Sequence, residues 1–183
     1  MDPPTTAKSR ERVLTDAELA AVYRSAVSQQ FTGGKIVQLL LLTGQRRGEI
    51  AALRAEWINR DNKTITLPSD ITKNGRLHTF PYGILTGAVL EGLPTNGFLF
   101  PARGTEGERP YNGWSKLKKS VNPDIIDWTL HDLRRTFATN LAALDIPPHV
   151  IERFLNHASG TISGVAAIYN RFSYLVSARK WVE

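Results

Sequence analysis

The chain has 183 residues, of which 42% are apolar, a formal net charge of +6 and no cysteine. Its length is enough for one hydrophobic core, so a single domain is expected. The composition excludes a disulfide framework and a thiolate zinc site. No apolar run reaches membrane-spanning length and the first residues lack a signal-peptide core, so we expect a soluble intracellular protein. The positive charge favours a polyanionic partner, either a nucleic acid or an anionic membrane surface.

The N-terminal end divides into a tail and the start of an ordered domain. Residues 1–12 are polar, basic and contain prolines, as in a flexible tail or an interdomain linker. Thr15 and Glu18 have the spacing of a capping box, in which each side chain accepts a hydrogen bond from the other residue's backbone N–H. We therefore expect a first helix to begin at Thr15 and the folded domain to extend over 13–183.

Two further helices are predicted before the first strand. Helical spacing of apolar residues covers 35–43, and Gly44 then provides a C-terminal cap, because glycine adopts the left-handed conformation without strain. A third helix is predicted to begin near Arg46 and to turn Ile50 and Leu53 towards the core.

The middle of the chain changes to the alternating pattern of a β-hairpin. Residues 64–67 and 78–80 alternate like strands, and Asn74 and Gly75 between them form a strong turn signal. A short basic helix is predicted over 114–121. The predicted fold class is therefore mainly α with a small antiparallel β-sheet, an α+β domain.

An amphipathic helix is predicted to carry His131 and Arg134, which lie about 60° apart on one helical face. Apolar residues of another face are predicted to seal this helix against a core: Leu133, Phe137, Leu141 and Leu144. The helix ends before a proline pair, and the next helix begins at that pair and ends near His157. A last helical stretch contains 166–169.

Five residues in chain order carry the groups needed to break a phosphodiester without a metal ion: Arg46, His131, Arg134, His157 and Tyr169. A guanidinium is always charged and can bridge two phosphate oxygens. An imidazole can move a proton near neutral pH, and a phenol can attack phosphorus. Taken singly, each residue has an ordinary alternative, such as a solvated arginine, a helix-end histidine or a core tyrosine. Their combination favours phosphodiester chemistry.

Two further candidates adjoin this set. Glu49 follows Arg46 at a spacing that lets the two side chains pair on one face of a helix, although a plain stabilising pair fits that spacing equally well. Lys73 precedes the predicted turn, where a lysine often serves only solubility.

Five segments, in this order, resemble the motifs of the catalytic domain of the tyrosine recombinase (phage integrase) family: TGQRRGEI at 43–50, TKNGR at 72–76, LHDLRRT at 130–136, LNH at 155–157 and IYNR at 168–171. The segment at 130–136, with its His-x-x-Arg pattern, is the most specific of them. The resemblance covers about 13–174, which is nearly the whole chain, and it implies the tyrosine recombinase catalytic-domain fold.

The resemblance implies a site-specific DNA recombinase or integrase that cleaves and rejoins strands through a 3′-phosphotyrosine intermediate. Tyr169 is the implied nucleophile. The residues implied to stabilise the phosphate are Arg46, Arg134 and His157. His131 is implied as an acid–base assistant, Lys73 as the acid that protonates the leaving oxygen, and Glu49 as a support for the arginines. Because one ester replaces another of similar energy, no cofactor, metal or ATP is expected.

The resemblance also implies the partners and the setting of this reaction. The expected partner is double-stranded DNA, with self-association on DNA into a tetrameric synapse and no role for a membrane. The expected location is cytoplasmic and nucleoid-associated, and the origin could be a phage, a transposon or a chromosomal system.

The chain departs from the family pattern in three places. Asn156 stands where the family usually has glycine. Tyr169 is farther from His157 than in many members, which leaves Tyr174 as the alternative nucleophile. Most members carry a further N-terminal core-binding domain that clamps the DNA, and we expect that domain to be absent because only 1–12 precede the matching region.

Three other functions remain to be distinguished. A type IB topoisomerase shares much of this chemistry, although the Gly-Glu context after the first arginine and the Leu-x-His segment are more similar to integrases. A metal-dependent nuclease would need a cluster of carboxylates, and the acidic residues here are scattered. A DNA-binding module without catalytic activity is the alternative of a different class.

Overall fold

The structure is a computed structural model, and it describes residues 11–29, 32–121 and 124–157. Within these three stretches, the chain forms seven α-helices, one 3₁₀ turn and one antiparallel sheet of three strands. The helices are α1 (Asp16–Ser28), α2 (Thr32–Thr43), α3 (Arg47–Ala51), α4 (Ile84–Leu90), α5 (Trp114–Ser120), α6 (Leu130–Ala143) and α7 (Pro148–Phe154). The strands are β1 (Ile58–Asn59), β2 (Thr64–Leu67) and β3 (His78–Pro81), paired in the order β1-β2-β3, and the 3₁₀ turn is Ala55–Trp57. The predicted α+β class is confirmed.

The first helix begins where the sequence predicts it. The Thr15 hydroxyl accepts a hydrogen bond from the Glu18 N–H at 3.3 Å, and the Glu18 carboxylate accepts one from the Thr15 N–H at 2.8 Å. The N–H of Leu14 donates to the Thr136 hydroxyl at 2.9 Å, which ties the start of α1 to α6. Arg12, at the end of the predicted tail, pairs with Glu18 at 2.5 Å.

Helix α2 is the central helix of the domain, and it packs against α1, α4 and α6. It begins at Thr32, earlier than predicted, and therefore includes Gly33 and Gly34. Glycine has a low helix propensity, so the local sequence gave no signal for this extra turn. At Gly34 a Cβ atom would lie 2.3 Å from the Ala26 carbonyl oxygen, which shows that the close approach of α1 requires glycine there. The predicted end of α2 at Gly44, with φ of +61°, is confirmed.

The two predicted strands pair as β2 and β3, with Ile65 opposite Phe80 on the buried face. On the other face the Thr66 and Thr79 hydroxyls are 3.0 Å apart. The short strand β1, which the sequence analysis did not identify, adds to the far edge of β2. The loop 68–77 between β2 and β3 is longer than a two-residue hairpin, and this loop carries part of the candidate site.

Helix α6 buries the predicted face near its start but not at its end. Leu133 is 1% exposed, whereas Leu144 is 58% exposed, so the prediction that Leu144 helps to seal the core is wrong. The helix ends at Ala143, and the chain then turns through Asp145 at a φ of +59°. Ile146, only 3% exposed, takes the buried position that the helical periodicity assigned to Leu144.

Within the described residues, no helix combines the length and the apolar character needed to cross a bilayer.

Candidate active site

Arg46 lies in the connection between α2 and α3 and caps the start of α3. Its guanidinium donates to the Glu49 carboxylate at 3.0 Å, and the other Glu49 oxygen accepts the Arg46 backbone N–H at 3.1 Å. A second guanidinium nitrogen donates to the Asn156 carbonyl at 3.2 Å. Glu49 is only 2% exposed, so one buried carboxylate fixes both the backbone and the side chain of Arg46.

Arg134 projects from α6 into the interior and is 4% exposed. Its guanidinium donates to the Gly44 carbonyl at 2.7 Å and to the Leu155 carbonyl at 2.5 Å. These two bonds join α6 to the ends of α2 and α7. Burial and the nearby positive charge of Arg46 lower the pKa of Arg134 to about 10. Because a guanidinium has five N–H donors, the edge of Arg134 that lines the cleft retains donors for an anion.

His131 lies in the first turn of α6, with an exposed side chain. The start of this helix is fixed by the Asp132 carboxylate, which accepts the Thr129 N–H at 2.7 Å and pairs with Arg135 at 2.5 Å. Partial desolvation and the positive charges of Arg135 and Arg134 lower the pKa of His131. Its imidazole is therefore mainly neutral at pH 7 and able to accept a proton.

His157 follows the end of α7, where its N–H donates to the Glu152 carbonyl at 2.9 Å. Partial desolvation, then the charges of Arg134 and Arg46, lower the pKa of His157. The preceding residue, Asn156, has a φ of +52°, a left-handed conformation that glycine and asparagine adopt more readily than other residues. This conformation tolerates asparagine at a position where the resemblance expects glycine, although glycine would fit it at least as well.

Lys73 lies in a turn within the loop 68–77, and its side chain is exposed. The turn is closed by the Gly75 N–H, which donates to the Thr72 carbonyl at 3.1 Å. Next to Lys73, Asn74 makes side-chain hydrogen bonds with Asn156, which bring the turn to the end of α7.

These elements surround an open cleft of about 860 Å³. Four of the predicted site residues line it: Arg46, Lys73, His131 and Arg134. Glu49 contacts the cleft residue Arg46. His157 directly follows Leu155 and Asn156, whose carbonyls accept hydrogen bonds from the two arginines. Tyr169 and its alternative Tyr174 lie outside the described residues, so the structure brings together six of the seven predicted residues and does not place the nucleophile.

The opposite wall of the cleft was not predicted as part of the site. It is formed by α5, through Trp114, Ser115, Lys118 and Lys119. The Arg47 guanidinium lies 5.5 Å from the centre of the Trp114 ring, a cation–π distance that links this wall to α3. The sequence showed that α5 is basic, but only the tertiary structure shows that it faces the two arginines.

His78 is a second residue that sequence reasoning missed. It is 5% exposed on β3 and stacks on Phe80 with ring centres 5.2 Å apart. Burial, together with the charges of Arg134, Arg46 and Arg153, lowers the pKa of His78 to about 4. No local motif marks it, because its proximity to the arginine charges depends on long-range packing, such as the contact between Phe80 on β3 and Phe154 on α7, whose ring centres are 5.9 Å apart.

Residues 12–174 match the model of the phage integrase family. The chain belongs to this family. A similar relative is prophage integrase IntZ of Escherichia coli, which is 30% identical over 80% of this chain and 37% of the relative. The chain thus spans little more than a third of that protein's length.

Solved structures show the same fold. The catalytic domain of bacteriophage HP1 integrase has a TM-score of 0.64 at 20% identity, over 82% of this chain and 83% of that domain. The Tn1549 transposon integrase, solved with a circular intermediate DNA, has a TM-score of 0.66 at 17% identity, over 85% of this chain and 60% of that chain. The family resemblance and the predicted fold of an integrase catalytic domain are both confirmed.

Proposed function

We propose that this chain is the catalytic part of a site-specific DNA recombinase that cleaves and rejoins strands through a 3′-phosphotyrosine. The observation that carries the proposal is the placement of Arg46 and Arg134 beside Lys73 and His131 in one open cleft. These groups come from distant parts of the chain, and they supply anion binding, proton donation and proton acceptance at one place. On this proposal, residues 13–183 form the catalytic domain and 1–12 a tail or linker to it.

The proposed step exchanges one phosphodiester for another. The phenol oxygen of Tyr169 forms a bond to phosphorus while the bond from phosphorus to the 5′ oxygen of the next nucleotide breaks. His131 accepts the phenol proton, since its imidazole is mainly neutral at pH 7. The Lys73 ammonium gives a proton to the departing 5′ oxygen. No cofactor enters this balance, because the phosphotyrosine retains the ester energy for the joining step.

The two arginines and His157 are proposed to stabilise the negative charge that grows on the phosphate oxygens in the transition state. Arg46 and Arg134 are already held by a carboxylate and by backbone carbonyls before any ligand binds. Groups that are oriented in advance need no reorganisation when the charge develops, which is the main source of electrostatic catalysis.

Double-stranded DNA is the proposed substrate. Lys118 and Lys119 on α5 and Arg47 on α3 extend the positive surface beyond the reacting phosphate. Such cations suit successive phosphates of a backbone and position DNA without reading its sequence. A structurally similar protein, the Tn1549 integrase, was solved bound to a circular intermediate DNA. We further propose self-association on DNA into a tetrameric synapse, with the protein acting in the cytoplasm on the nucleoid.

The proposal is tested by covalent capture of DNA. The probe is a pool of nicked suicide duplexes with a randomised centre, in which the nick lets the short released strand diffuse away after cleavage. Protein–DNA adducts that survive denaturation are isolated and sequenced, which also yields the preferred site. Tyr169→Phe should abolish the adduct while DNA binding persists, because the change removes one hydroxyl and no charge.

The matched control is Tyr174→Phe, which should still form the adduct. Capture by Tyr169→Phe but not by Tyr174→Phe would make Tyr174 the nucleophile. Absence of any wild-type adduct across the pool, with DNA binding intact, would contradict the proposal and support a binding module. Relaxation of plasmids that lack the recovered site, without strand exchange between sites, would identify a topoisomerase.

A further inference from the structure

A pair of asparagine side chains joins two parts of the candidate site that are distant in sequence. The Asn74 amide nitrogen donates to the Asn156 side-chain oxygen at 2.7 Å, and the Asn156 amide nitrogen donates to the Asn74 side-chain oxygen at 3.1 Å. The Asn74 nitrogen also lies 3.3 Å from the Asn156 carbonyl oxygen. Each amide thus acts as donor and acceptor towards the other, which fixes their mutual orientation more strongly than one bond would.

The backbone of Asn156 does not by itself account for this side chain. At a φ of +52° just past the end of α7, glycine would meet the conformational requirement at least as well. The amide is therefore best explained by what it binds, which is the turn containing Lys73.

The loop 68–77 is closed internally but has few polar links to the other described residues. The Thr72 hydroxyl accepts the Arg76 N–H at 3.0 Å and donates to the Arg76 carbonyl at 2.7 Å, so the turn keeps its own shape. Among the hydrogen bonds of the described residues, those of Asn74 are the ones that connect this loop to another part of the chain.

The Asn156 end of the pair is itself part of the phosphate-binding structure. Its carbonyl accepts a hydrogen bond from the Arg46 guanidinium at 3.2 Å. Asn156 therefore links the Lys73 turn to Arg46, the arginine that is proposed to hold the phosphate.

We propose that Asn74 and Asn156 are positioning residues that hold the Lys73 ammonium at the leaving 5′ oxygen. This inference rests on the proposed function, in which Lys73 is the general acid. The pair fixes the backbone position of Lys73, so that its ammonium is restricted to a smaller volume around the scissile phosphate. Without the pair, Lys73 keeps its charge and basicity but reaches the leaving oxygen less often.

The test compares two leaving groups in single-turnover cleavage. The probes are the suicide duplex recovered by covalent capture and the same duplex with sulfur replacing the 5′ bridging oxygen. A thiolate leaves without being protonated, so loss of the general acid slows cleavage of the oxygen duplex selectively. Lys73→Ala gives the expected pattern for loss of the acid: its cleavage of the oxygen duplex is slow, and its cleavage rate is largely restored on the sulfur duplex.

Asn156→Gly removes the amide while retaining a residue suited to the left-handed backbone, and Asn74→Ala removes the other partner. Each variant should cleave the oxygen duplex about 10- to 100-fold more slowly than wild type, the range typical of a misplaced catalytic group. Most of that loss should disappear on the sulfur duplex. The double variant should be no slower than either single one, and DNA affinity should be unchanged. Asp145→Gly is the matched control, because it places glycine at the φ of +59° that follows α6, and it should cleave both duplexes like wild type.

The inference would be overturned if the asparagine variants cleaved both duplexes equally slowly or cleaved them at the wild-type rate. It would also be overturned if the losses of the single variants multiplied in the double variant. Each of these outcomes would leave the proposed function intact. A Lys73→Ala variant that the sulfur duplex does not restore would overturn it too, because no acid would then be there to position. Failure of wild type to cleave any duplex would defeat the proposed function itself, and this inference with it.

Discussion

Arg134 is expected to stabilise the fold as well as the reaction, and Arg134→Ala separates these two roles. The substitution leaves the Gly44 and Leu155 carbonyls without their charged donor in a buried position. A buried polar group that loses its partner costs about 1–3 kcal/mol, so two such groups suggest about 2–6 kcal/mol. Removing Arg134 also relieves its repulsion with Arg46, one of the causes of its lowered pKa. We therefore expect the lower part of that range, about 2–4 kcal/mol.

A loss of this size is large for one domain, because total stabilities are about 5–15 kcal/mol. The measurement is urea unfolding at pH 7, followed by circular dichroism and by tryptophan fluorescence, to which the buried Trp128 contributes. Arg153→Ala is the control, because Arg153 is exposed on α7 and its loss should change stability by about 0.5 kcal/mol or less.

An Arg134→Ala protein with the wild-type unfolding midpoint and slope would refute this reasoning. It would mean that water or neighbouring groups satisfy the two carbonyls at little cost. If the loss is observed, cleavage rates of Arg134 variants need correction for the folded fraction. The corrected rates should still fall far more than DNA affinity, because the arginine is proposed to act mainly on charge that develops in the transition state.

Three further outcomes are expected. Cleavage should persist in EDTA, since Arg46 and Arg134 are proposed to supply the positive charge that stabilises the phosphate; loss on chelation with rescue by magnesium would contradict this. The pKa of His78 is lower in the folded protein than in the unfolded chain, so lowering the pH destabilises the fold through this residue. The free energy of unfolding is unaffected above pH 6.5 and falls by about 3 kcal/mol as the pH falls to about 4. His78→Phe should flatten that acid dependence in urea unfolding at pH 7 and pH 4.5, and an unchanged dependence would refute it. Light scattering should show a monomer free in solution and larger assemblies only on DNA, with binding that weakens steeply with salt; a tight dimer without DNA would argue against this.

Local signals in the sequence were enough to predict much of the fold. The capping box at Thr15, the glycine after α2 and the alternation of β2 and β3 each act over a few residues, and each is present in the structure. The features that were not predicted depend on contacts between distant segments. Gly34 lies in a helix because α1 packs against it, which no short window of sequence reveals.

The candidate site likewise has features that local sequence predicts and features that depend on contacts between distant segments. The motif residues could be selected from the sequence, but their anchors could not, since backbone carbonyls carry no sequence signature. Arg134 is held by the carbonyls of Gly44 and Leu155, and the α5 wall meets α3 through Arg47 and Trp114. The family resemblance selected the candidate positions from the sequence, whereas the partners of these residues became visible only in the tertiary structure.

The nature of these anchors bears on the positive charge that the cleft presents to its proposed substrate, DNA. Arg134 and one end of Arg46 are held by backbone carbonyls at the ends of α2 and α7, which are neutral acceptors, and Glu49 is the carboxylate bonded to Arg46. A carbonyl orients a guanidinium without cancelling its charge, whereas a second carboxylate would compete with the phosphate for the same donors. The cost of this arrangement is repulsion between two close cations, which, after burial, is the second cause of the lowered pKa of Arg134. On the proposed function, a bound phosphate relieves that repulsion, and the relief increases as the phosphate gains charge in the transition state, so the same feature that strains the free site favours the proposed reaction.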